Sequence, residues 1–210
     1  VMGNKTNPIG LRLINSKAWE DIVFVRSKDY VEFLKLSVAV RSFIDKNYKD
    51  FGLLSINIEQ NQNIYFVIIT VVNVEMFLFS AGQTANQIER IIQTNIWSDI
   101  SLKIKQAYCF ERHPAFIASK LISDVNNRSA VKSSIRQTAL TALNAGALGV
   151  KACYAGRIYG VDIAQSVWHI EGRVPVHTIT ANIRYASIHV KTNYGICNVK
   201  VWVCLAEKDA

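Results

Sequence analysis

The chain has 210 residues, half of them hydrophobic, and a formal net charge of +8. That length accommodates one large or two modest domains with cores of their own, and that apolar fraction excludes a basic disordered tail. Surplus positive charge adds nothing to a fold and points to an anionic partner.

The charge is uneven. Between residues 128 and 200, Arg128, Lys132, Arg136, Lys151, Arg157, Arg173, Arg184, Lys191 and Lys200 are opposed only by Asp162 and Glu171, whereas residues 27–126 are close to balanced.

Residues 3–12 (GNKTNPIGLR) mix Gly, Asn and Pro with Lys5 and Arg12, and read as an ordered loop with basic reach. Residues 29–48 carry Val31, Leu34, Val38 and Phe43 at helical spacing, with Asp29 as cap. Leu54, Ile56 and Ile58 alternate and predict a strand over 53–59. The apolar run 64–81 has the length of a membrane span, but Asn73 and Glu75 interrupt it and its Val, Ile, Phe and Thr content favours a buried strand or two strand halves. Gly82-Gln83-Thr84-Ala85 breaks the chain, Ile88, Ile91, Ile92 and Ile96 predict the next helix, and residues 101–108 a further strand.

Pro114 opens a new helix, and residues 129–143 a second, with Val131, Ile135, Leu140 and Leu143 inward and Arg128, Lys132 and Arg136 along the other side at spacings of four. Gly146 and Gly149 end it. Strands follow over 150–154, 165–170, 178–190 and 196–205, separated by Gly and Pro turns. The domain boundary is placed near 110–113, giving residues 1–112 and 113–210.

Three constellations could meet RNA. The Gly82–Ala85 turn before a helix offers backbone N–H groups to phosphate, as the GxxG loop of KH domains does, but Ala85 stands where the second glycine belongs and the loop has no Lys or Arg. The Arg128, Lys132, Arg136 face, with no acid interspersed, suits phosphate without reading base sequence. The third group is Arg157, Arg173, His177, Arg184 and Lys191 on strands and turns. Alternate strand positions share a face, so some of these point toward the core rim. Trp168 and Trp202 read as core.

Enzyme signatures are missing: no P-loop, GxSxG or dinucleotide fingerprint occurs, and the acids of the second half are too scattered for paired carboxylate chemistry. A lyase with a lysine nucleophile would need a lysine in an apolar pocket, and none is placed that way. Cys109, Cys153, Cys197 and Cys204 form no CxxC pair, so buried reduced thiols are expected, with Cys197 and Cys204 on opposite faces of one strand. No metal, cofactor, small-molecule substrate or membrane partner is expected.

Three passages carry a family resemblance: MGNKTNPIGLRL at the start, AGALGVK followed by AGR at residues 145–157, and the long stretch from Trp168 to Trp202 with EGRVPVHT and KVWV. Together they resemble the bacterial-type small-subunit ribosomal protein S-three family over nearly the whole chain. The resemblance implies an α+β protein with an N-terminal arm and KH domain of the prokaryotic type (type II), then a C-terminal α/β domain whose mainly antiparallel sheet packs on two helices. It implies a structural component of the small-subunit head. That component binds small-subunit rRNA through Lys5, Asn7, Arg12, Arg157, Arg173, His177, Arg184 and Lys191, touches neighbouring head proteins, and lines the mRNA entrance with Arg128, Lys132 and Arg136. Relatives aid mRNA unwinding with an adjacent basic pair and a third basic residue; Lys132 and Arg136 keep their charge, while Ser133 departs from it, and Gln165 stands where relatives often carry arginine.

The Asn- and Ile-rich composition, the missing presequence and the degraded loop together imply a mitochondrial version, working in the ribosome of the matrix, with a plastid or the bacterial cytoplasm as alternatives. The rival reading is a free-standing KH-type protein acting on transcripts.

Overall fold

The structure, a computed structural model, describes residues 6–16, 19–48, 52–61, 64–81, 85–96, 100–127 and 129–206. It divides into two units, Trp19–Tyr108 and a second in which Val1–Ala18 joins Cys109–Ala210. This corrects the expected 1–112 and 113–210 division. The N-terminal helix α1 (Pro8–Ser16) groups with the far half of the chain, because Arg12 bonds to carbonyls there.

The unit Trp19–Tyr108 runs β1 (Asp21–Ile22), α2 (Tyr30–Tyr48), β2 (Leu53–Asn61), β3 (Ile64–Val71), α3 (Val74–Ala81), α4 (Ala85–Ile96) and β4 (Ile100–Gln106). Its sheet has the order β1-β2-β3-β4, with β2 and β3 antiparallel and the outer pairs parallel. Leu54, Ile56 and Ile58 alternate into the core as expected, and Val67, Ile69 and Val71 of β3 join them beneath Phe77, Ile88 and Ile92 of the helices.

Two expectations fail in this unit. The 64–81 run is half strand and half helix: the Asn73 side chain accepts the Glu75 N–H at 3.0 Å, and the Asn73 carbonyl accepts that of Phe77, so a capping residue converts strand-like composition into α3. No helix among the described residues is long and apolar enough to cross a membrane.

On α2 the inward face is Phe33, Ser37, Val40, Ile44 and Tyr48, while Val31, Leu34 and Val38 are exposed. Asp21 sets this rotation. Its carboxylate accepts Ser37 Oγ–H at 3.0 Å and Arg41 Nη2–H at 2.5 Å, and also the Ile58 N–H of the neighbouring strand at 3.3 Å. The helix turns its polar Ser37 inward because the half-buried Asp21 carboxylate there needs donors.

In the other unit, α5 (Pro114–Asn126) and α6 (Val131–Asn144) precede β5 (Gly149–Gly156), β6 (Gln165–Gly172), β7 (Ile183–Thr192) and β8 (Gly195–Cys204). The sheet order is β6-β5-β8-β7, antiparallel throughout. Val150, Ala152 and Tyr154 of β5, with Cys197, Val199, Val201 and Val203 of β8, face the two helices and form a core with Ile117, Leu121, Ile135 and Ala139. The mixed α+β architecture agrees with expectation. The predicted strand over 178–190 begins only at Ile183, since residues 173–182 form turns whose carbonyls Arg12 occupies.

Gly149 and Gly172 pair across β5 and β6. A Cβ on Gly149 would sit 2.4 Å from the Arg173 carbonyl oxygen. Gly172, at φ +72°, would place one 2.5 Å from that of Leu148. Only glycine permits so close a crossing at both places.

Candidate nucleic-acid interface

Helix α6 is the best-built basic surface. Val131, Ser134, Ile135, Thr138, Ala139 and Ala142 are buried, which leaves Lys132, Ser133 and Arg136 exposed on the opposite side. The helix contains no Asp or Glu. Its N-terminus is held by Tyr159, whose hydroxyl accepts the Val131 N–H at 2.9 Å from a residue strained to φ 57°. The Ser134 hydroxyl bonds to Asp124 of α5. At its far end the N–H groups of Gly146 and Ala147 return to the Leu143 and Ala142 carbonyls, an arrangement that Gly146 at φ +98° permits. The two cations therefore stand on a rigid rod with Cβ atoms about 6 Å apart. Leu140, expected inward, is exposed instead, and small residues fill the core on its turn. Arg128 lies outside the described residues.

The N-terminal group separates. Lys5 lies outside the described residues. Asn7 is exposed, but its Oδ1 accepts the Ile9 N–H at 2.9 Å and caps α1, with Pro8 at the first helical position.

Arg12, expected to reach rRNA, is only 4% exposed. Its guanidinium donates to the carbonyls of Ala181 (3.0 Å), Pro8 (3.0 Å), Val176 (2.8 Å) and Thr178 (2.9 Å). It is a clasp that fixes the arm to the 173–182 segment: four of its five N–H donors are spent on carbonyls and the group is buried from phosphate.

Arg157 is similarly committed. It donates to the Val161 (2.9 Å), Tyr194 (3.2 Å) and Gly160 (3.3 Å) carbonyls and to the Asp162 carboxylate (3.1 Å). Its work is to hold the loop that carries Tyr159.

Arg173, His177, Arg184 and Lys191 are exposed, yet they form no single patch. Arg184 pairs with Val203 on the helix-facing side of the sheet, and Lys191 pairs with Ile196 on the other side. Seven strand positions separate them, about 23 Å. Arg184 is near His113. Burial first, and the field of Arg184 second, lower that imidazole from 6.5 to about 4. Arg173 and Arg12 act on Cys204, whose thiol is nevertheless raised because burial outweighs both.

All four cysteines are free. Cys197 and Cys204 are buried on opposite faces of β8 as expected, but Cys109 is exposed and Cys153 half-buried, contrary to the expectation of uniformly buried thiols. Among the described residues no cluster of three or more His, Cys, Asp or Glu could hold a metal ion. Gly82, Gln83 and Thr84 lie outside the described residues, and Ala85 opens α4.

Sequence reasoning missed the other face of the β5–β8 sheet. Trp168, read as core, is 62% exposed there, beside Lys151 and Lys200. The sequence holds no signal for it, because Trp202 on the same face is buried and only the strand register separates the two.

Residues 117–203 match the family model described as ribosomal protein S3, C-terminal domain. The chain is 34% identical over 203 residues to small ribosomal subunit protein uS3 of Wolbachia sp. subsp. Brugia malayi, covering 96% of this chain and 98% of that protein. It is 33% identical over 206 residues to uS3 of Legionella pneumophila (strain Corby), covering 98% and 94%. To uS3c of Ostreococcus tauri it is 31% identical over 210 residues, covering 99% and 100%.

Proposed function

The chain belongs to the small ribosomal subunit protein uS3 family, and from that premise we propose that it is a structural constituent of the small-subunit head that binds small-subunit rRNA and lines the mRNA entrance. The observation that carries the reading is α6: Lys132 and Arg136 exposed four positions apart, on a helix without acids, clamped at both ends. Fixed cations on a rigid support bind phosphate without reading bases and lose little side-chain entropy beyond their own stems. Arg128 extends the same face in sequence and joins them at the entrance, where the set helps to open structured message.

Arg173, His177, Arg184 and Lys191 are the remaining rRNA contacts, joined by Lys5 from the arm. Arg12 and Arg157 act indirectly, by fixing the arm and the Tyr159 loop. The unit Trp19–Tyr108 is a KH domain of the prokaryotic type; its order of helix, two strands, helices and strand supports that reading. The neighbours are other head proteins. The ribosome concerned is that of mitochondria, as the drift in composition suggests.

Co-sedimentation of the tagged chain with small subunits in high salt tests the assignment, and recovery at the top of the gradient refutes it. Lys132→Glu with Arg136→Glu should leave that sedimentation intact while slowing translation of messages with stable hairpins at least several-fold relative to unstructured ones. Equal rates on both messages would remove α6 from the entrance.

A further inference from the structure

Strand alternation gives the β5–β8 sheet a second face, turned away from α5 and α6. Register sets Trp168, Cys153, Lys200 and Ser187 in one row across the four strands, with Lys151 and Trp202 adjacent in the next. Trp202 is 7% exposed and forms a floor, its ring 5.2 Å from that of Tyr185. Trp168 is 62% exposed on the edge strand. The Lys151 ammonium stands between the two indoles, 5.2 Å from one centroid and 6.0 Å from the other. Lys191 lies further along β7 on the same face. Among the described residues no acid of the four strands shares it: Glu171 projects to the opposite side, where it pairs with His169 at 2.7 Å.

We propose that this face is a stacking platform for unpaired nucleotides of RNA, with Trp168 receiving a base and Lys151, Lys200 and Lys191 meeting the backbone phosphates. A merely solvated sheet face gains nothing by showing most of an indole to water. A protein-docking face of this kind would desolvate three ammonium groups with no carboxylate of its own to offset them. Interleaved aromatic rings and cations without acids are what single-stranded nucleic acid requires, since each base has a π-face and each phosphate a charge. The small residues Cys153 and Ser187 in the Trp168 row leave room for a base to lie flat. The platform is separate from the α6 face, which α5 and the sheet core place on the other side of β5 and β8. The proposal rests on the ribosomal reading only in taking the RNA to be that of the small subunit.

The test uses the full chain and an unstructured oligoadenylate, with affinity followed across a salt series. Trp168→Ala should weaken binding by about 5- to 150-fold, the range set by loss of one base–aromatic stack. Trp168→Phe should restore most of it. Lys151→Gln with Lys200→Gln should flatten the salt dependence by about 1.4 in slope. Unfolding midpoints of each variant separate lost binding from lost fold, and a duplex of equal length should be indifferent to residue 168. Unchanged oligonucleotide affinity in Trp168→Ala overturns the proposal, as does a cross-link from position 168 to a protein in assembled subunits. Failure of the parent chain to sediment with subunits would instead overturn the ribosomal assignment and leave the oligonucleotide result standing.

Discussion

Replacing Arg12 by Met removes a guanidinium that donates four hydrogen bonds to carbonyls, three of them, from Val176, Thr178 and Ala181, more than 160 positions away in sequence. Hydrogen bonds from a charged donor are worth roughly 1.5–3 kcal/mol each in net terms. They share one side chain, so the sum overstates the loss; carbonyls left without a donor cost about 1–3 kcal/mol each, and a combined loss of about 4 kcal/mol is expected. With a urea dependence of about 2 kcal/mol/M, the midpoint of the unit that includes α1 should fall by about 2 M. Proteases should cut the freed arm, and hydrogen exchange across 173–182 should accelerate. Arg12→Lys should recover little, because one ammonium cannot span four acceptors arranged around a planar fork. A midpoint within about 0.3 M of the parent for Arg12→Met, with the arm still protected, would show that the clasp does not hold it.

Other outcomes follow from the same structure. Gly172→Ala forces a Cβ into the Leu148 carbonyl at φ +72°; a strain of at least about 2 kcal/mol should lower the thermal midpoint by roughly 8–15 °C, and an unchanged midpoint would contradict the crossing. His113 is held neutral, its pKa lowered from 6.5 to about 4 by burial and then by Arg184. The unfolded chain therefore takes up the proton first as the pH falls. The group's contribution is whole above about pH 6.5 and is lost progressively toward pH 4, with a ceiling of roughly 3 kcal/mol. His113→Asn should shrink the difference in denaturant stability between pH 7 and pH 4.5, and an equal difference in both proteins would refute this.

Much of the fold was legible because period and punctuation agree. Leu54, Ile56 and Ile58 alternate, Pro114 opens a helix, and Gly146 closes one, so these elements fall where local chemistry puts them. The errors lie where a distant group decides. Helix α2 is apolar on two sides, and only Asp21 with its need for Ser37 and Arg41 settles which side is buried. Asn73 carries a capping signal inside a run whose composition says strand. Arg12 and Arg157 look like free cations because their carbonyl partners are supplied by turns that periodicity cannot locate. The α6 face was legible since helix geometry alone aligns positions 132 and 136. The Trp168 platform was not, because it depends on which side of the sheet two helices choose to cover.

The most direct test is photo-cross-linking from position 136, through a probe attached in an Arg136→Cys variant whose native cysteines are changed to serine, in small subunits programmed with message. A cross-link to RNA, mapping to the message just downstream of the decoding region, is the predicted result. Cross-links confined to protein, in particles that contain the chain, would contradict the account.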